Sequence, residues 1–74
     1  MSEEEVRQVL RSRGEDLTGR RDSRIKLGQT AAGRYLQVIY VPEEDPESVF
    51  VITAYELRGA AKTAFRRRQR RRPR

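Results

Sequence analysis

Two runs rich in β-branched and aromatic residues constrain the fold of this chain more than any other feature. The first, RYLQVIYV, spans residues 34–41, and the second, SVFVITAYEL, spans residues 48–57. Both have the composition of β-strands, and the polar, proline-bounded segment PEEDPE between them is typical of a loop. Because strands joined by a short loop pair antiparallel, the two runs predict a pair of neighbouring antiparallel strands.

A third, shorter strand is predicted before them. Residues 24–27 alternate polar and apolar side chains, and the segment GQTAAG at 28–33 has the composition of a turn. Residues 15–22 are polar, with a single leucine, and we interpret them as a connection. Three consecutive strands with short loops need no crossover, so the simplest arrangement is a three-stranded antiparallel meander.

A helix is predicted at each end of the chain. Ser2 and Glu5 have the spacing of a capping box, and valines and a leucine then follow at helical spacing over residues 3–12. Residues 59–71 carry an apolar stripe that ends at Phe65 and is followed by arginines. The predicted fold is therefore α+β, in the order α-β-β-β-α.

Pairing the apolar residues of the strands predicts which side chains share a face of the sheet. With Val38 opposite Ile52, one face carries the apolar side chains of Ile25, Leu27, Leu36, Val38, Tyr40, Phe50, Ile52 and Ala54, and we expect it to take the helices. The opposite face then carries Lys26, Gln37 and Thr53 in a row, with Arg24 beside them and Tyr35 opposite Tyr55. Farther along this second face lie the apolar residues Ile39, Val41, Val49 and Val51, where we expect a partner protein, a dimer contact or a returning tail.

The positive charge is concentrated at the end of the chain. The 74 residues carry a net charge of +6, yet seven of the 17 basic residues lie within 66–74. Residues 1–65 therefore hold ten basic side chains against all 11 acidic ones. We expect one domain over residues 1–65 and an arginine-rich tail over 66–74 that attracts polyanions.

Several classes of protein are excluded by composition. The chain has no cysteine and no histidine, so disulfides, thiol nucleophiles and the usual zinc ligands are absent, and we expect no metal and no cofactor. No apolar run approaches the ~18 residues of a membrane-spanning helix. The first ten residues are acidic where a secretory signal would be basic, so we expect a cytoplasmic protein without a membrane partner.

Two motifs carry a resemblance to a known family. The run GRYLQVIY at 33–40 is followed, after an acidic loop, by VITAY at 51–55 and a basic terminal helix, and RIKLG at 24–28 precedes both. This pattern, over about residues 21–66, resembles the BrnT-like branch of the RelE superfamily and a related group of uncharacterised small bacterial proteins. The resemblance implies a RelE-like fold and a toxin of a type II toxin–antitoxin system. Such a toxin is an endoribonuclease that degrades messenger RNA and is neutralised by a cognate antitoxin.

Cleavage of RNA through its own 2′-hydroxyl needs a base, an acid and positive charge on the phosphate. Without histidine, the candidates are Lys26 as the base, Tyr55 as a proton donor or stacking ring, and Arg24 on the phosphate. Lysine and tyrosine titrate about 3 units above neutral pH, so we expect a slow enzyme or one completed by the ribosome. Each residue also has a simpler role: a solvated strand lysine, a cross-strand tyrosine pair, or a surface arginine.

The candidate RNA-binding residues are those whose charge or position suits a phosphate backbone, namely Arg34, Thr53, Arg58, Lys62, Arg66, Arg67 and Arg68. Three functions stay open on this evidence. The protein is a ribonuclease toxin, a non-catalytic module that binds RNA or the ribosome, or a subunit that binds another protein through its apolar sheet patch.

Overall fold

The computed structural model of the protein describes residues 2–45 and 48–71. These form helix α1 (Glu3–Arg11), strands β1 (Glu15–Thr18), β2 (Arg24–Gln29), β3 (Tyr35–Pro42) and β4 (Val49–Glu56), and helix α2 (Gly59–Arg71). The four strands lie side by side in chain order and pair antiparallel, so the fold is α+β. Residues 46 and 47 of the predicted loop and residues 72–74 of the predicted tail lie outside the described residues.

Both predicted helices are confirmed. At the start of α1, the Glu5 amide donates to the Ser2 hydroxyl at 3.1 Å, and the Ser2 amide donates to the Glu5 carboxylate at 3.1 Å. This reciprocal pair is the predicted capping box, which satisfies two backbone N–H groups that a helix N-terminus leaves without partners. Helix α2 runs through Arg71, so residues 66–71 continue the helix.

The prediction of three strands is wrong, because residues 15–18 form a fourth. Strand β1 pairs with β2, with Asp16 opposite Lys26 and Leu17 opposite Ile25. It lies at the edge of the sheet, and its one apolar side chain, that of Leu17, is 45% exposed. A short edge strand needs little apolar area, which is why its composition resembles that of a loop.

The turn between β2 and β3 is closed by Thr30 and Arg34. The Thr30 amide donates to the Arg34 carbonyl at 2.7 Å, and the Arg34 amide donates to the Thr30 hydroxyl at 3.0 Å. Gly33 adopts a φ of 91° within the turn, a conformation that glycine tolerates without strain. These contacts fix the register of β2 and β3, the two strands that the turn connects.

That register differs by one residue from the predicted one. Lys26 pairs with Val38, and Leu27 pairs with Gln37. A shift of one residue moves each side chain of a strand to the other face of the sheet. The predictions that Ile25 and Leu27 share the face of Val38, and that Lys26 lies in a row with Gln37, are therefore wrong.

Strand β4 contains a bulge that the sequence analysis did not anticipate. Thr53 pairs with Ile39 and Val51 pairs with Tyr40, so Ile52 has no partner in β3. The extra residue interrupts the alternation of side chains between the two faces. Past the bulge, residues of β4 therefore lie on the face opposite to the one that strict alternation predicts.

The bulge divides the apolar residues of β4 between the two faces. Val49 and Val51 line a cleft with Val6 and Leu10 of α1, whereas Phe50 lies on the other face and is 62% exposed. The predicted single face of Leu36, Val38, Tyr40, Phe50, Ile52 and Ala54 is wrong, and so is the predicted patch of Ile39, Val41, Val49 and Val51.

Each face of the sheet has its own core beneath one helix. On the face that we call the α1 face, the buried and partly buried residues are Val6, Val9, Leu10, Leu36, Val38 and Ala54. On the α2 face, they are Ile25, Leu27, Tyr35, Leu57 and Phe65. The two helices therefore pack on opposite sides of the sheet, and the prediction that one face takes both is wrong.

Two glycines mark where the chain between α1 and β1 approaches β2. Alanine substitutions at these two glycines should destabilise the fold by different amounts. A Cβ at Gly14 would collide with the Leu27 carbonyl, which is backbone, whereas one at Gly28 would collide with the Ser12 hydroxyl and come within 3.0 Å of Val9 Cγ1, both of which are side-chain atoms. We expect Gly14→Ala to lower the free energy of unfolding by about 2–3 kcal/mol and Gly28→Ala by about 1 kcal/mol. Urea denaturation of both variants measures this, and equal losses would contradict the described approach.

Candidate nucleic-acid interface

Phe65 fixes helix α2 on the sheet. Its side chain is 1% exposed and packs against Leu27 and Leu57. Its ring meets the edge of the Tyr35 ring, with centroids 6.0 Å apart and an angle of 76° between the planes. An edge-to-face pair of this kind adds to the burial of both rings, so the orientation of α2 about its axis is set at this residue.

The outer surface of α2 is basic. Arg66, Arg67, Arg70 and Arg71 are exposed, and none forms an ion pair within the part of the chain that the structure describes. Phe65 faces the sheet, so these arginine side chains, on the other side of the helix, project into solvent. They form a concentrated positive surface of the kind that binds the phosphate backbone of a nucleic acid.

Two basic side chains of α2 lie over the ring of Tyr35. The Lys62 ammonium is 5.3 Å from the ring centroid, and the Arg66 guanidinium carbon is 5.8 Å from it. Both contacts are within the range of cation–π attraction. The sequence analysis named Lys62 and Arg66 as RNA-binding candidates, and the structure brings them together on one flank of the helix.

Two further basic candidates near the helix, Arg68 and Arg58, lie beside carboxylates. Arg68 donates to Glu15 of β1, and this hydrogen bond raises the pKa of Arg68 above its ordinary value. Arg58 lies 3.5 Å from Glu56. Arg68 therefore ties α2 to the edge of the sheet, while Arg58 remains largely exposed to solvent.

The α2 face beyond the helix carries polar and aromatic side chains. Tyr55 pairs with Gln37, whose amide donates to the tyrosine hydroxyl at 2.8 Å, and the tyrosine is 47% exposed. Thr53 lies exposed on the same face. The predicted pairing of Tyr35 with Tyr55 is wrong, although both rings lie on the α2 face.

Lys26, the candidate base, lies on the opposite face of the sheet from Tyr55. It is 8% exposed, and its ammonium is 3.4 Å from a carboxylate oxygen of Asp16. The other oxygen of Asp16 accepts a hydrogen bond of 2.7 Å from the Tyr40 hydroxyl. Arg24 lies next to Lys26 on this face and pairs in register with Tyr40.

Asp16 and Tyr40 belong to this cluster, and the sequence analysis gave neither of them a functional role. Burial and the hydrogen bond to the Asp16 carboxylate raise the pKa of the Tyr40 hydroxyl above its ordinary value. Since β1 was not predicted, no sequence signal placed Asp16 opposite Lys26. The contacts of Asp16 join β1 to β3 across β2, so this cluster has a structural role.

Arg34, predicted to contact phosphate, is held between two carboxylates. Its guanidinium is 3.0 Å from Glu5 of α1 and 3.4 Å from Glu56 of β4. The hydrogen bond to Glu56 and the charges of both carboxylates raise the pKa of Arg34. Arg34 lies about 20 Å along β3 from the position of Arg24, so the two arginines do not converge on one phosphate.

Comparisons of the chain with protein-family models, with curated proteins and with solved structures find no match. Within residues 2–45 and 48–71, no group of three or more acidic side chains is arranged to hold a metal ion. Over the same residues, neither helix is long and apolar enough to span a membrane.

The Asp16 contacts give a testable difference in stability. Asp16→Ala leaves the Lys26 ammonium and the Tyr40 hydroxyl without their shared acceptor, and we expect a loss of about 1–3 kcal/mol. Asp22 is exposed, and its carboxylate forms no hydrogen bond or ion pair among the described residues, so Asp22→Ala is the matched control. Chemical denaturation compares the two variants. Equal stabilities would show that the cluster contributes nothing to the fold.

Glu5 makes the stability of the fold dependent on pH. The hydrogen bond from the Ser2 amide and the charge of Arg34 hold the pKa of the Glu5 carboxyl below its ordinary value, although its burial acts in the opposite direction. A lowered folded-state pKa contributes stability above the unfolded pKa, about 4.3 for glutamate. This contribution is lost as the pH falls through the lower value.

We therefore expect Glu5→Gln to be less stable than the parent at pH 7 and the difference to shrink as the pH falls below about 4. Glu4→Gln removes an exposed carboxylate from the same helical turn, one that forms no hydrogen bond or ion pair among the described residues. It should show a smaller difference at pH 7. Thermal denaturation across this pH range measures both, and a constant gap for Glu5→Gln would contradict the assignment.

Proposed function

We propose that this protein is a non-catalytic RNA-binding module. It holds the phosphate backbone on the arginines of α2 and stacks bases on exposed aromatic rings of the adjoining sheet face. The observation that carries the proposal is the set of four arginines, Arg66, Arg67, Arg70 and Arg71, on one exposed helix surface without carboxylate partners among the described residues.

The distribution of ion pairs supports this proposal. Among the described ion pairs, the carboxylates of Glu3, Glu5, Asp16 and Glu56 pair with cations outside α2, and that of Glu15 pairs with Arg68 of α2. Most positive charge of α2 is therefore not neutralised locally, even though residues 1–65 are close to neutral as a whole. Binding of a polyanion releases its counterions and needs such a charge surface, whereas folding does not.

Exposed aromatic rings on the same side of the sheet favour a single-stranded nucleic acid. Tyr55 is 47% exposed and Phe50 is 62% exposed, and both lie on the α2 face. Unpaired bases stack on aromatic side chains of open sheets, whereas bases of a duplex are stacked on each other. RNA supplies single-stranded segments in the cell, so we propose RNA as the partner.

The endoribonuclease toxin implied by the BrnT-like resemblance is the alternative proposal, together with its RelE-like fold, its antitoxin partner and its cytoplasmic location. An endoribonuclease needs its acid and its base within reach of one phosphate. Lys26 and Tyr55 lie on opposite faces of the sheet, so a catalytic pair would have to use other residues. RNA binding has no such requirement, and the geometry therefore favours it.

Removing two arginines from the basic surface tests the proposal. Arg67→Gln with Arg71→Gln should weaken binding of a single-stranded RNA at least about tenfold, and should lower the slope of log affinity against log salt by about 1.4. Arg11→Gln with Arg20→Gln removes the same charge from positions outside α2. It should leave both the affinity and the salt slope nearly unchanged. Fluorescence anisotropy at several salt concentrations measures them.

The two double variants also define what would refute the proposal. Equal losses of affinity would mean that RNA responds to net charge and not to a surface on α2. The same samples are examined for cleaved RNA by gel electrophoresis. Cleavage by the parent that is lost in Tyr55→Phe would favour the endoribonuclease instead.

A further inference from the structure

We infer that the cleft between α2 and the segment preceding β1 is a binding site for the phosphate group of one nucleotide. The inference rests on the RNA-binding function proposed above and adds a defined position on the interface. The cleft has a volume of about 370 Å³ and opens beside the ends of β2 and β3. This volume falls within the range of about 300–1,000 Å³ that small-molecule sites occupy.

Gln69, one of the residues that line the cleft, has an unpaired side-chain donor. The side-chain nitrogen of Gln69 is buried and has no hydrogen-bond partner among the described residues. A buried donor without an acceptor costs about 1–3 kcal/mol, so such groups are normally paired with protein, water or a ligand. An acceptor in the cleft would remove this cost once the Gln69 amide turns toward it.

Two cations stand beside that donor. Arg66 and Arg70 line the cleft with Gln69. Gln69 and Arg70 come three and four residues after Arg66 in α2, so both are neighbours of Arg66 on the helix surface. Neither arginine has an ion pair within the described residues. The donors therefore converge from one helix face on the same space.

The chemistry of the lining selects an anion. Besides these three residues, the walls include Arg13 and Gln29, whose side-chain amide donates to the Gly33 carbonyl at 3.4 Å, and they include no aspartate or glutamate among the described residues. Guanidinium and amide N–H groups bind phosphate oxygens through charge-assisted hydrogen bonds. A divalent cation would find no carboxylate there, so the lining favours phosphate over a metal ion.

The cleft also has an apolar wall, which favours a nucleotide over a free phosphate ion as its ligand. Tyr35 and Phe65 line it below the arginines. Phe65 is 1% exposed and lies beneath this wall, so its accessible part is the partly exposed Tyr35 ring, which a ribose or a base would contact while the phosphate meets Arg66 and Arg70. The nucleotide could be free in solution or part of an RNA strand, and the same phosphate chemistry serves both.

The experiment uses the full chain with two probes, adenosine 5′-monophosphate and a single-stranded RNA. Titration with the mononucleotide, followed by NMR, should shift the side-chain amide signals of Gln69 to saturation. Gln69→Leu, which leaves the net charge unchanged, should weaken binding of the mononucleotide about tenfold through the lost charge-assisted hydrogen bond. Arg70→Gln should weaken it at least as much, whereas Arg20→Gln, which removes the same charge from the exposed turn between β1 and β2, should change it about twofold at most.

The RNA probe identifies the source of the phosphate. If Gln69→Leu weakens both probes and the mononucleotide displaces RNA, the cleft holds a phosphate of the strand. If it weakens only the mononucleotide, the cleft is a site for free nucleotides, and the inference stands with that source. Gln69→Glu is a second variant that places a carboxylate beside Arg66 and Arg70; it should fold and bind neither probe in the cleft.

The outcomes separate this inference from the proposed function. Binding of the mononucleotide by a parent protein that does not bind RNA would refute RNA binding and keep the phosphate site. Normal RNA binding, with no shift of the Gln69 signals and equal affinities for Gln69→Leu and the parent, would refute the phosphate site and keep RNA binding.

Discussion

The turn between β2 and β3 is the constraint on which the rest of the structure depends. The hydrogen bonds between Thr30 and Arg34 fix the register of the two central strands. This register places Leu27 and Leu36 on opposite faces of the sheet, and each becomes part of the core beneath one helix. A register shifted by one residue would merge the two sets and leave one helix without an apolar surface to cover.

Arg34 connects this turn to both ends of the fold. Its backbone closes the turn, while its guanidinium joins Glu5 at the start of α1 to Glu56 at the end of β4. Helix α2 begins three residues after Glu56. The arginine thus stands where α1, the central hairpin and the start of α2 meet, and its two carboxylate partners explain why it serves the fold better than it serves a phosphate.

Local signals predicted the elements, whereas contacts distant in sequence decided their arrangement. The capping box at Ser2 and the strand composition of β3 and β4 depend on neighbouring residues, so they are visible in the sequence. Strand β1 and the bulge at Ile52 depend on pairing with another strand, and no local pattern specifies them. In the candidate site, their positive charge indicated Lys62 and Arg66, but their contact with the Tyr35 ring follows from the packing of α2.

The bulge in β4 has a consequence for the behaviour of the protein at high concentration. Strand β4 lies at an open edge of the sheet and is uncharged from Val49 to Tyr55, and such strands tend to recruit identical chains into growing sheets. The unpaired residue interrupts the row of backbone groups that an added strand would need, and it increases the local twist. The irregularity that misdirects prediction of the register thus also hinders aggregation along this edge.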